Sequence, residues 1–445
     1  MHVDRITSDQ TDGYRGIWYC NEKTGDEYVY KYSGGLGTYT AYHIPMAYYA
    51  APANRTFFVY GGTAEGQPRL LIMASYYDHE RHRLPRPTVL CDRGTDDAHD
   101  NPVVSVDDAG YVWVFASSHG RGRPSYIFRS REPYTTESFE QVAETNFSYP
   151  QVHYLTGQGF FFLHTLYNGG RGLHWATSPD GRRWDGPHRL SHIARGHYAV
   201  SWRQGDRIGT AFNYHPEPGG LNFRTNLYYV ETDDFGRSWH NAQGDRLELP
   251  LQEVRNPALA HDYESEGLKV YVQDLNYDTR GRPIILYITS PGWQPGPQND
   301  PRIWTTAHWN GERWEIRGSI VSDNNYDTGC LHVDADGTWR LIGPTEPGPQ
   351  PGNPGGEIAI WTSGDEGATW RKQRALTRNS IYNHTFVRRP AHANPQFHAF
   401  WADGHGRQPS ESRLYFADRS GEQVWRLPAK MAGAWAEPEP VSSDG

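Results

Sequence analysis

A short turn recurs along this chain and limits what it can fold into. TDDFGRSW (232–239) and SGDEGATW (363–370) share the form Ser/Thr-x-Asp-x-Gly-x-x-Trp. TSPDGRRW (177–184) is a variant shortened by one residue, and WNGERWEI (309–316) keeps the Gly-x-x-Trp half. Their tryptophans, Trp184, Trp239, Trp314 and Trp370, fall about 55 to 75 residues apart, the period of a repeated supersecondary unit. In such a turn Asp accepts backbone N–H bonds, Gly supplies positive φ, and Trp opens the next strand. Strand-like runs precede three of the turns: LHWATS (173–178), NLYYVET (226–232) and EIAIWTS (357–363). Further strand–turn–strand patterns lie in SVDDAGYVWVFASS (105–118), NYDTRGRPIILYITS (276–290) and HVDADGTWRLIGP (332–344).

About seven units of roughly 60 residues fill the 445-residue chain. The reading is an all-β, seven-bladed β-propeller, with six or eight blades also compatible with the repeat; radial repetition of four-stranded sheets leaves only short edges. Composition agrees where it bears on this. Sixteen Trp and 29 Tyr can build the core, and 47 Gly with 31 Pro supply turns. No compositional break divides the chain, so residues 1–445 are read as one domain, with PTEPGPQPGNPGG (344–356) as a long loop.

Charge narrows the partners. Acidic residues outnumber basic ones 52 to 43, with no basic run, which argues against a nucleic-acid partner. No stretch is long and apolar enough for a membrane-spanning helix. MHVDRITSDQ has no apolar leader core, so the expectation is a cytoplasmic protein, or a secreted or periplasmic one if a leader has been removed. A monomer is expected. Cys20, Cys91 and Cys330 form no CxxC pair, so neither a disulfide framework nor a zinc ribbon is indicated.

In a propeller, ligands meet loops at one end of the central channel, so several segments each contribute one or two polar residues. The candidates are His99 and Asn101 in AHDNP, His119 in SSHGRGRPSY, Tyr149 in NFSYPQ, and His197 in RGHY. Tyr214 and His215 in NYHP, Arg224 in NFRTN, His261 in AHDYESEG, Arg340 in WRLIGP, and His384 with Arg388 in NHTFVRRP complete the set. His99 and His119 stand out because each borders a strand-like segment beside Gly, Asn or Pro, where a loop can turn it inward. His79 and His82, in YDHERHR, read as solvated surface.

Such a His–Tyr–Arg set suits β-elimination at a uronic acid. Arg neutralises the carboxylate as charge develops on it. His or a Tyr of lowered pKa takes the C5 proton, and another of the two protonates the departing O4. That chemistry requires no cofactor. A structural Ca²⁺ in the channel is compatible with the oxygen-rich DADG and DNNYD stretches, but its ligands stay unassigned.

Six stretches, GYRGIWYCNEKTGDEYVYKYSGGLGTY (13–39), DDAHDNPVVSVDDAGYVWVFASSHG (96–120), NFSYPQV, TNLYYVETDDFG, HDYESEGLKVYV and FWADGHGRQPSESRLYF, resemble one family of BNR-repeat propellers. That family includes ulvan lyases, L-rhamnose-α-1,4-D-glucuronate lyases and an α-L-rhamnosidase acting on arabinogalactan. The resemblance implies a seven-bladed propeller that cleaves where rhamnose meets a uronic acid in an acidic oligo- or polysaccharide. It places the lyase histidines on His99 and His119, the lyase tyrosine on Tyr149, and the substrate-binding arginines on Arg224 and Arg340. Tyr214, His215, His197 and His384 are expected to line the substrate. The rhamnosidase reading instead implies His43 in GTYTAYHIPMAYY, on the opposite face. One departure stands out: FLHTLY (162–167) has Leu166 where the lyases tend to carry an arginine, which Arg171 of the following GGRG loop would have to replace. Elimination is the first expectation, hydrolysis through His43 the second, and a non-catalytic glycan-binding propeller the third.

Overall fold

The computed structural model describes residues 5–441. Seven antiparallel sheets follow one another along the chain, each with its four main strands in sequence order. Blade 1 comprises Ala47–Ala50, Arg55–Gly62, Leu71–Asp78 and Thr88–Asp92. Blade 2 comprises Pro102–Val106, Val112–Ala116, Ser125–Ser130 and Phe139–Thr145. Blades 3 to 7 open on strands Ser148–Leu155, Ala199–Gln204, Lys269–Tyr277, Cys330–Val333 and Asn383–Arg388. The protein is a seven-bladed β-propeller. No α-helix occurs among the described residues, only four short 3₁₀ turns.

Burial runs radially. The inner strands PVVSV and VWVFA of blade 2 are buried along their whole length, because neighbouring blades cover both faces. The outer strand Arg371–Ala375 of blade 6 is exposed over four of its five residues. The repeated turns link third strands to fourth strands. In TDDFGRSW the Gly236 and Ser238 amides donate to Thr232 Oγ1 and Asp234 Oδ1, both at 2.9 Å. In SGDEGATW the Gly367 and Thr369 amides donate to Ser363 Oγ and Asp365 Oδ1, again at 2.9 Å. The turn glycine also lets one blade approach the next. Gly181 has φ +69°, and a Cβ there would lie 2.5 Å from the Trp113 ring of blade 2. A Gly181→Val change therefore strains the backbone and collides with a fully buried Trp.

Closure of the ring was not foreseeable from the repeat. Trp435–Ala436 pairs with Leu84–Pro85, and the Tyr14 and Arg86 amides donate to Pro428 O and Ala434 O. The C-terminal segment thus straps the last blade to the first. An N-terminal hairpin, Trp18–Lys23 with Tyr30–Gly35, lies over one end of the channel. The following segment fills the channel itself. Ile44 N donates to Pro150 O, Val104 N to Pro45 O, and Arg388 Nη2 to Ala41 O and His43 O. Residues 39–42 form the floor of a cleft whose walls come from the hairpin and the inner blade ends.

Candidate active site

Asp97, His99, Asp100 and Asn101 sit just before the inner strand of blade 2, and His119 follows its second strand. Antiparallel order brings both points to the same end of the blade. Asn101, Asp100 and Asp97 hold different parts of the site. Asn101 Nδ2 donates to Leu36 O at 2.8 Å and Tyr39 O at 2.6 Å, which fixes the loop carrying Tyr39. Asp100, fully buried, accepts from Arg93, from Arg123, and from the His119 amide at 2.7 Å. Asp97 takes both imidazoles: His99 Nδ1 lies 2.5 Å from Oδ1, and His119 Nδ1 lies 2.9 Å from Oδ2. The two rings stack with centroids 3.9 Å apart and planes 18° apart. On its far side His99 Nε2 meets the Tyr39 and Tyr32 hydroxyls at 2.8 and 3.0 Å. Burial pushes the pKa of His99 down, while the Asp97 carboxylate pulls it back up.

Across the cleft stands Tyr198, stacked on Tyr42 at 4.5 Å. Arg171 Nη1 donates to its hydroxyl at 2.7 Å, and the Arg224 guanidinium lies 4.5 Å from its ring centre. Burial would raise this phenol, but Arg171 and Arg224 outweigh that and bring it down to about 7. Arg224 is fully buried among Tyr198, Tyr271 and Tyr326, and its Nε donates to Leu221 O. Among the described residues neither Arg171 nor Arg224 pairs with a carboxylate. A buried guanidinium without a counter-ion is costly unless an anion arrives with the ligand. The cleft, open to solvent, spans about 630 Å³.

The structure sorts the residues expected from the sequence. His99, His119 and Arg224 line the cleft, with Arg171 beside them. Tyr149 lies just behind, its ring 6.1 Å from His99 and 5.4 Å from Tyr198. Its hydroxyl sits beside those of Tyr167 and Tyr198 without closing a hydrogen bond of ordinary geometry, and burial raises its pKa strongly. His197 and His215 are a supporting layer. His197 Nδ1 contacts Arg171 O at 3.1 Å, and His215 packs against the Tyr198 ring at 4.8 Å.

Other expectations are corrected. Arg340 lies near the start of the second strand of blade 6, close to the 334–338 turn, where it pairs with Asp334 at 2.9 Å. That turn joins the first two strands, so it faces the end of the blade opposite the cleft. Tyr214 is buried against Tyr228 in the blade 4 core. His384 is enclosed in blade 7, accepting from Trp401 Nε1 at 2.9 Å, with Ser380 Oγ at 3.0 Å from its other ring nitrogen. His261 pairs with Glu266, and Arg388 spends its guanidinium on the channel segment. His43 is not on an opposite face. It is fully buried 5.9 Å from the Tyr149 ring, with Nδ1 on Thr40 Oγ1, and it lines no part of the cleft. His79 is buried too, against Thr56 and Gln396.

The carboxylates of the oxygen-rich stretches have protein partners. The DADG carboxylate of Asp334 is taken by Arg340 and Arg419. In DNNYD, Asp323 and Asp327 accept from the Gly352 and Gly355 amides. Asp97, His99 and His119 are the one close trio of ligand-type side chains among the described residues. Their geometry does not suit a metal. Ordinary zinc bonds would hold ligand N and O atoms roughly 3.3 Å apart, whereas His99 Nδ1 and Asp97 Oδ1 are at 2.5 Å.

Fold and cleft together define a seven-bladed propeller carrying an imidazole–carboxylate cluster opposite an arginine-flanked phenol at one channel mouth. Residues 38–320 match the BNR repeat-containing family, and the chain belongs to it. It is 22% identical over 326 residues to an ulvan lyase of Nonlabens ulvanivorans, covering 63% of this chain and 65% of that one. It is 22% identical over 288 residues to an ulvan lyase of Alteromonas sp. (strain LOR), covering 56% and 57%. The chain thus spans less than two thirds of the length of these curated relatives. A solved ulvan lyase structure superposes with a TM-score of 0.70 at 17% identity, covering 92% of this chain and 96% of that one. The same kind of enzyme bound to -[GlcA(1-4)Rha3S]- superposes with a TM-score of 0.69 at 17% identity, covering 93% and 96%.

Sequence reasoning missed Tyr198 and Asp97. Tyr198 stands beside His197 in RGHY, where the histidine drew the attention. Asp97 lay inside a stretch of three aspartates with nothing to single it out.

Proposed function

We propose that this protein is a polysaccharide lyase that cleaves a rhamnose–glucuronate linkage in an acidic glycan by β-elimination. The carrying observation is the pair of guanidiniums, Arg171 and Arg224, that lack carboxylate partners among the described residues and flank one phenol, opposite the His99–His119 pair. A uronate carboxylate supplies the missing anion, and its neutralisation acidifies the C5 proton. The base removes that proton, the C4=C5 bond forms as the C4–O4 bond breaks, and a protonated side chain delivers the proton to O4. His99, His119 and Tyr149 were assigned the acid and base roles from sequence. Tyr198 joins them, because its lowered pKa puts a phenolate within reach near neutrality. Arg171 fills the place that Leu166 leaves open. The similarity to ulvan lyases, one of which binds a glucuronate–rhamnose sulfate chain, supports the substrate class.

The test is mass spectrometry of products from a rhamnose-capped glucuronate oligosaccharide and from ulvan. Elimination leaves a uronate fragment one water lighter than hydrolysis does, with ultraviolet absorbance from the new double bond. A saturated uronate fragment would overturn elimination in favour of hydrolysis. Retained binding without turnover would make the propeller a glycan-binding protein.

A further inference from the structure

Two imidazoles stacked on one carboxylate pose a question that the proposed reaction leaves open: do they play the same part? An ionised carboxylate only accepts hydrogen bonds. Asp97 is held far below the usual carboxylate range, because the two histidines outweigh its burial. Each of its oxygens receives one Nδ1. Both Nδ1 atoms therefore carry the ring proton, and in the neutral rings both Nε2 atoms are lone-pair acceptors. From there the rings diverge. His99 is buried, and its Nε2 already meets two phenols, Tyr39 and Tyr32. His119 keeps 29% of its side chain exposed on the cleft wall, and its Nε2 makes no hydrogen bond among the described residues. The 3.9 Å stacking also opposes two simultaneous imidazoliums over a single negative charge.

We infer that Asp97 is a positioning residue that locks both imidazoles as Nδ1–H tautomers and thereby makes His119, not His99, the ring whose Nε2 exchanges a proton with substrate. His99 is the spacer that transmits the rigidity of the two phenols to His119. The inference rests on the elimination reading for its catalytic consequence, but its tautomer content stands apart from activity.

The experiment has two arms. In the first, ¹⁵N-labelled protein is studied by imidazole NMR at a pH where both rings are neutral, with signals assigned through His99→Gln and His119→Gln. Both rings are expected to show a protonated Nδ1 and a bare Nε2. An Nε2–H tautomer on either ring in the native protein overturns the inference. In Asp97→Asn the amide offers one acceptor and one donor, so one ring should switch to Nε2–H. In the second arm, Asp97→Asn is expected to lower kcat by about 10²- to 10⁴-fold, with KM changed less than about threefold. His119→Gln should be at least about tenfold more damaging than His99→Gln. Equal loss in the two glutamine variants, or an unimpaired Asp97→Asn, also overturns it. If Asp97→Asn does not fold, the native spectrum and the two glutamine variants still decide. Absence of unsaturated product from the native protein sinks the elimination reading and leaves the tautomer result to stand or fall alone.

Discussion

Among the described residues two histidine pairs stack with ring centroids less than 4 Å apart, and only one of them borders the cleft. His99 and His119 lie 3.9 Å apart at 18°, and His332 and His398 lie 3.8 Å apart at 20°. The first pair rests on a carboxylate, contacts two phenols and borders a cleft. The second is buried between blades 6 and 7, near Arg340, Arg389 and Arg419, and among the described residues neither ring nitrogen of His398 has a hydrogen bond. Burial and those guanidiniums hold His398 down at about 3, and His332 is likewise held well below its ordinary value, chiefly by burial. Imidazole pairing is thus a packing motif in this fold. Under the proposed reaction, the counter-ion beneath one copy and the cavity in front of it are what would let that copy transfer protons.

The sharpest way to break that contrast is to remove one ring from each pair. His119→Ala is expected to cut the rate of unsaturated-product formation by about 10³-fold or more, in the upper part of the range for general acid–base groups. His398→Ala should leave kcat within about twofold and cost stability instead, through the cavity it opens. Ultraviolet product assays and denaturant titrations separate the two outcomes. Comparable activity losses would mean that the His332–His398 pair is not inert.

The arginines give the next largest effect. Arg224→Met is expected to reduce kcat/KM by about 10²- to 10³-fold, because a charge-stabilising donor is lost. Its stability should hold or rise by about 1–2 kcal/mol, since a buried cation without a carboxylate partner is replaced by an apolar chain of similar length. A stability loss of more than about 2 kcal/mol would show that the guanidinium is held for packing rather than for a ligand.

A smaller, pH-dependent effect belongs to Tyr198. Its folded value of about 7 lies below the ordinary 10.0, so the folded state favours the phenolate. The sign follows: this contribution to stability is full above about pH 10, shrinks as pH falls, and is gone below about pH 7. The stability gap between the native protein and Tyr198→Phe should therefore widen between about pH 6 and about pH 9. Tyrosinate absorbance should titrate near neutrality and vanish in the variant. A first phenol ionising only near the ordinary value would remove Tyr198 from the proton-transfer set. Activity should rise through the same window as the base form appears.

Much of this was legible before any coordinates. Asp, Gly and Trp in the recurrent turn each do a local job that sequence exposes, so the propeller class and an approximate blade count followed. His99, His119, Tyr149 and Arg224 were legible because loop signals beside strand ends mark the channel mouth. Arg340 misled because a motif does not say which end of a blade a residue occupies; that depends on strand direction, and its place beside the first turn sends it away. Tyr198 and Asp97 were hidden because their importance is relational: one phenol among 29 matters only once two guanidiniums close on it. The C-terminal strap and the channel-filling segment depend on contacts across nearly the whole chain, such as Tyr14 with Pro428, which no local pattern encodes.

The smallest predicted effect tests the contrast from the other side. A leucine nearly fills the volume of His398 and has no ring nitrogens to leave unsatisfied. Each buried polar atom without a partner costs about 1–3 kcal/mol, which offsets the imperfect shape match of the replacement. His398→Leu should therefore change unfolding free energy by no more than about 1 kcal/mol in either direction, and leave kcat and KM within experimental error. The same substitution at His99 should be costlier, because Asp97 and the Tyr32 and Tyr39 hydroxyls each lose one buried hydrogen-bond partner. If the two leucine variants lose stability equally, partner count is not what separates the pairs, and the His332–His398 stack must be held by interactions beyond those its hydrogen bonds reveal.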